Sequence, residues 1–234
     1  MVVNFNKIKN SLAVLMLSTL SCADGTENLV FSDGFIDYHL QMSLVEVQDD
    51  AVFYLIQENI DNLDFANTCD SATRELTSLI EEGYIIDALN MSKLISLLDH
   101  ANPRSSVTKV ILQAIEYRTP INADHLNSLI IILDHANPSD SAAKILMRAI
   151  EYNTPINSNH LSLLIKLLAH ANPSNNVTGV LLKAIECGVK FGPKERRLLA
   201  ETSRIANALS NVERIRKALH EQELKNRESR DNLS

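Results

Sequence analysis

The chain has 234 residues, 45% of them hydrophobic and 22% charged, with no Trp and only 6 Gly and 6 Pro. That is ample apolar material for a core and too few turn-forming residues for a β-sandwich or a disordered chain. The net charge of −7 provides no general attraction to nucleic acid or anionic membranes.

The charge is unevenly spread. Residues 24–98 hold 15 acids against Arg74 and Lys93 (−13), residues 99–193 hold 7 acids and 8 bases (+1), and residues 194–234 hold 7 acids and 10 bases (+3). A solvated surface accounts for this; the sharper reading is head-to-tail attraction between an acidic front and a basic back.

Lys7 and Lys9 precede an uncharged stretch, Ser11 to Leu20, and then Ser21, Cys22 and Ala23. A basic start, a short apolar run and small residues before the cut describe a secretory signal peptide over 1–23. Ten residues of helix span only about 15 Å, half a bilayer core. Cys22 opens a second reading, cleavage before a lipidated Cys. The plain alternative is an apolar first helix. Residues 24–49 form an acidic segment in which Leu29 to Phe31 and Phe35 to Ile36 read either as an extended stretch or as a helical cap.

From about residue 50 to 226 a 35-residue period predicts an all-α solenoid of stacked antiparallel hairpins. Asp99-His100-Ala101-Asn102-Pro103 returns at 134–138 and, with Ala169 first, at 169–173. Residues 99–133 and 134–168 are identical at 20 of 35 positions. One helix of each unit carries Val107, Val110, Ile111, Ala114 and Ile115, repeated as Val177, Val180, Leu181, Ala184 and Ile185, which is one buried stripe. The other carries Leu126, Leu129, Ile130, Ile132 and Leu133, a wider stripe touched from two sides.

Punctuation supports the hairpins. Asn102, Asn137 and Asn172, each before Pro, read as N-caps with Pro at the first helical position. Asn122 and Asn157 read as caps of the alternate helices, and Pro120 and Pro155 as stops. Ser210 and Glu213 have capping-box spacing at the start of a polar C-terminal capping helix. Leu198, Ile205, Val212 and Leu219, spaced by sevens, also admit a coiled-coil handle. Residues 227–234 read as a disordered tail.

At Asn127-Ser128-Leu129-Ile130 and Ala184-Ile185-Glu186-Cys187-Gly188-Val189 the sequence resembles pentatricopeptide repeats, relatives of the tetratricopeptide class. The resemblance covers roughly residues 88–203. It implies helical hairpins and, in that family, single-stranded RNA read one base per repeat, with Ser128 at a reading position. Leu163 and Lys93 stand at its neighbouring counterparts, and Leu163 has no hydrogen-bonding group. The tetratricopeptide class implies a protein or peptide partner.

The chemistry-bearing residues recur with the period. His100, His135 and His170 form a ladder whose rungs, about 9–10 Å apart at helix-packing distance, are too widely spaced to share one zinc ion; a structural role is expected. His125 and His160 make a second ladder near a helix start, read as more exposed; the sharper alternative there is a shallow pH-sensitive surface. Cys69 and Cys187 read as two small buried residues. Asn90 and Asn176 match a glycosylation pattern. No Gly-rich phosphate loop, zinc-protease motif or nucleophile elbow occurs, so neither an enzyme nor a cofactor is expected. The expected function is an exported scaffold that binds a protein or peptide through Lys93, Ser96, Asn127, Ile131, Ser162 and Lys166; the alternative is RNA binding.

Overall fold

The computed structural model describes residues 51–101, 103–170 and 174–231, all within one compact unit, Asp50–Ser234. The expected signal peptide, the lipidation reading at Cys22 and the 24–49 segment fall outside the described residues, as do Asn102 and Asn172.

Ten α-helices follow one another among the described residues, with no strand. They are α1 (51–63), α2 (Cys69–Glu81), α3 (Ala88–Leu97), α4 (Arg104–Glu116), α5 (Ala123–Leu133), α6 (Ser139–Glu151), α7 (Ser158–Leu167), α8 (Ser174–Glu186), α9 (Pro193–Thr202) and α10 (Leu209–Asp231). A short 3₁₀ turn, Ala206–Ala208, precedes α10. The fold is an all-α solenoid of hairpins. The first helices α3, α5, α7 and α9 pack each on the next, and the second helices α2, α4, α6, α8 and α10 form a parallel layer. Within the units, α3 packs on α4, α5 on α6, and α7 on α8.

The core lies between the layers and is continuous from Val52 to Leu219. Val107, Val110, Ile111, Ala114 and Ile115 are buried, as are Leu126, Leu129, Ile130, Ile132 and Leu133. Burial of this kind stabilises by about 1.5–3 kcal/mol per large aliphatic side chain. No single hairpin could cover both stripes, so the stacking itself makes the core.

The second helices end in one repeated device. Arg118 donates its backbone N–H to Ile115 (3.0 Å) and Thr119 donates to Ala114 (2.8 Å), the two bonds of a left-handed helix stop. Asn153 and Thr154 repeat the pattern on Ile150 and Ala149, and Gly188 and Val189 on Ile185 and Ala184. The left-handed residues are Gly83 (φ 98), Arg118 (φ 67), Asn153 (φ 63) and Gly188 (φ 83). The helices therefore stop before Pro120 and Pro155 are reached. A Cβ at Gly188 would touch nothing within 4 Å, so the cost of Gly188→Ala is conformational. We expect about 1 kcal/mol of lost stability in urea unfolding.

Several expectations are corrected. Asn137 lies exposed in a turn and caps nothing; α6 starts at Ser139 after Pro138, whose carbonyl accepts the Ala142 N–H (3.0 Å). Ser210 falls inside α10 rather than at its cap. The spacing of sevens from Leu198 to Leu219 is cut by the break between Thr202 and Leu209, so there is no coiled-coil handle. Helix α10 also runs on past residue 227 to Asp231, through the good helix formers Lys225, Arg227 and Glu228. Its apolar stripe, Val212, Ile215 and Leu219, is buried as expected.

Candidate interaction surfaces

The outward face of the first-helix layer carries the sequence-derived binding residues, and the structure divides them. Lys93 is half-buried and forms an ion pair with Asp61 of α1. Ser96 is exposed, its hydroxyl donating to the Lys93 carbonyl at 2.7 Å. Asn127 is half-buried, whereas Lys166 and Ser128 are exposed. Ile131 is 62% exposed. Ser162 does not belong to this surface: it is only 7% exposed, and its hydroxyl has no hydrogen-bond partner. Leu163, 40% exposed, takes its place. Ile131 and Leu163 occupy the repeat positions that Asp61 and Lys93 hold two repeats earlier. An ion pair therefore gives way to two open aliphatic side chains.

One edge of the stack carries the first histidine ladder. His100 Nδ1 meets Asp64 (2.7 Å), His135 meets Asp99 (2.8 Å) and His170 meets Asp134 (2.6 Å), each joining one unit to the preceding one. The ladder stops where both partners change together, Ala169 replacing Asp and Ile205 replacing His. These exposed pairs each contribute about 1 kcal/mol or less. A second set of rungs joins the second helices. Gln113 bonds Glu81 (2.7 Å), Arg148 pairs with Glu116 (2.7 Å), and Lys183 pairs with Glu151 (2.9 Å). Lys183 also reaches Glu186, and its hydrogen bonds to the two carboxylates, first that to Glu151, raise its pKa well above the ordinary lysine value.

The second histidine ladder is buried, contrary to the exposed reading: His125 is 2% and His160 1% exposed. Each histidine closes a box at the start of its helix. Asn122 Oδ1 accepts the His125 N–H (2.9 Å), while His125 Nδ1 accepts the Asn122 N–H (3.3 Å). His125 Nε2 then reaches the Ala88 carbonyl (3.0 Å) and Ser92 Oγ (3.1 Å) of the preceding unit. With Nδ1 accepting and Nε2 facing a carbonyl, the partners assign the proton to Nε2. Asn157 and His160 repeat the box at 3.0 and 3.3 Å. Burial pushes the His160 pKa down, opposed by a hydrogen bond with the Ala123 backbone. In the next unit Glu195 takes the role, accepting the Gly192 N–H (2.9 Å) and the Ser158 hydroxyl. That hydroxyl is the main cause holding the Glu195 carboxyl below its usual range.

The structure adds a feature that spacing alone did not single out, an open groove of about 550 Å³ between the loops 117–122 and 152–157. Arg118, Pro120, Tyr152, Asn153 and Pro155 line it. Aligning the four helix stops could have drawn attention to it, because Arg118 stands in register with Gly83 and Gly188.

Of the remaining readings, Cys69 is buried but Cys187 is exposed, and both are free thiols. Asn90 is buried at the α3 start, where it bonds Asp87 (2.7 Å), so it presents no glycan acceptor. Asn176 binds Ser139 (2.9 Å) and Asp140 (2.7 Å). Among the described residues there is no cluster of potential metal ligands, and no helix is long and apolar enough to cross a membrane.

No protein-family model, curated protein or solved structure matches this chain.

Proposed function

We propose that this chain is an exported scaffold of the tetratricopeptide or pentatricopeptide type that binds a protein or peptide partner on the outward face of its first helices. The observation that supports this most is the pair Ile131 and Leu163. A soluble surface ordinarily presents polar groups at such solvent-facing helix positions, and the same positions two repeats earlier carry an ion pair. Exposed Lys166 and half-buried Asn127 supply polar groups around the aliphatic centre, the layout of an interface with an apolar middle and a polar rim. Export rests on the basic-apolar-small pattern of residues 1–23, with lipidation of Cys22 as its variant; sequencing the mature N-terminus tests both.

The rival is single-stranded RNA held along the same face, read through Ser128. RNA binding draws its affinity from cations and weakens steeply with salt. Here Lys93 is already paired with Asp61. The test is a titration of the purified chain with mixed-sequence single-stranded RNA, followed by peptide selection. We expect no salt-sensitive RNA binding, together with peptide binding that Ile131→Asp removes while leaving the melting temperature within about 2 °C. Salt-sensitive RNA binding, or a peptide selection in which no binder depends on Ile131, overturns the assignment.

A further inference from the structure

We infer that the groove between loops 117–122 and 152–157 is a binding site for an extended peptide segment carrying a carboxylate; this rests on the reading of the array as a peptide-binding scaffold. Arg118 is held at φ 67, in the left-handed region, where the units on either side of this loop pair use Gly83 and Gly188. A residue with a Cβ is disfavoured there, and backbone strain of this kind collects at working sites.

Its guanidinium makes no ion pair among the described residues. The carboxylate across the groove, Glu151, is engaged by Lys183 (2.9 Å) and Arg148 (3.1 Å). The hydrogen bond from Lys183 is the largest cause holding that carboxyl below its ordinary value. The groove therefore offers an uncommitted positive charge. Arg is suited to a carboxylate because its planar fork can donate two parallel bonds. A phosphoryl group would call for more cations than this one.

The opposite wall suits what flanks a carboxylate in a peptide. The Tyr152 ring is held beneath the Arg148 guanidinium, 5.8 Å from its centroid, so it is positioned before any ligand arrives. Pro155 extends this wall, and Pro120 stands on Arg118's own loop; both have little conformational freedom to lose. The Asn153 side-chain amide offers both a donor and an acceptor to a peptide backbone.

The test is selection of a random peptide library displayed on phage against the full chain, with affinities then measured by fluorescence anisotropy. We expect the enriched peptides to share an Asp or Glu beside an aromatic residue or Pro. Arg118→Gly is expected to raise the melting temperature by about 3 °C and yet weaken those peptides by about tenfold or more. Arg118→Lys should retain part of the binding. Enriched peptides that lack acids, or that bind Arg118→Gly as tightly as the parent while Ile131→Asp abolishes them, overturn this inference and leave the outward-face reading standing. An Arg118→Gly chain that melts no higher than the parent overturns the strain on which the inference stands. A selection with no enrichment overturns both.

Discussion

Replacing His160 by alanine is expected to cost about 3 kcal/mol in urea unfolding, far more than a surface histidine would. The substitution removes the acceptor for the Asn157 N–H and the partner of the Ala123 backbone, and it empties a place where the imidazole is only 1% exposed. An orphaned buried group costs about 1–3 kcal/mol, and loss of the helix-start box adds about 1. His160→Gln is the informative companion. Gln at the third helical position can close a capping box, much as Glu195 does in the next unit, so most of the loss should be restored.

The same pair of variants reports on pH. Burial holds the folded His160 imidazole below its ordinary value of 6.5. As the pH falls, the unfolded chain therefore takes up the proton first. The stabilisation is fully present above about pH 6.5 and is lost progressively as the pH drops below it. Protonation would also place a cation at a helix start, against the helix dipole. Thermal melts between pH 7.5 and 5 should show the parent losing stability and His160→Gln losing less. Equal losses in the two chains would remove this imidazole from the explanation.

The second large effect is expected within α5, where neighbouring positions have opposite fates. Leu129 is completely buried between the layers, whereas Ile131 faces solvent. Leu129→Ala should cost about 3 kcal/mol, the transfer term plus an unfilled cavity. Ile131→Ala should stay within about 0.5 kcal/mol while weakening the partner. Chemical denaturation checks the first half and peptide anisotropy the second; a costly Ile131→Ala would mean that this side chain serves the fold.

The solenoid was legible in the sequence because its core is built from periodic aliphatic residues. Leu126, Leu129, Ile130 and Leu133 recur in register, and periodicity reports which side of a helix faces inward. Partners between units were not legible. His125 and His160 lie near helix starts, where a polar residue ordinarily faces water. Their burial depends on Ala88 and Ala123, a full repeat earlier in the chain. Ser162 was misplaced for the same reason: its helix position looks outward until the neighbouring helix is set beside it. Asn137 misled because Asn before Pro fits a cap, while the chain begins its helix one residue beyond the Pro. The groove at Arg118 needed a backbone angle, which residue identity alone does not supply.

The rungs that tie units together span fixed separations: 36 residues for His135 to Asp99 and 32 for Arg148 to Glu116. A segment of 35 residues duplicated in tandem carries both halves of each rung with it. Recombination between such copies can therefore lengthen or shorten the array by whole modules, with the new junctions zipped as the old ones are. Copy number, as well as point substitution, is then a route by which this chain changes the length of its first-helix face.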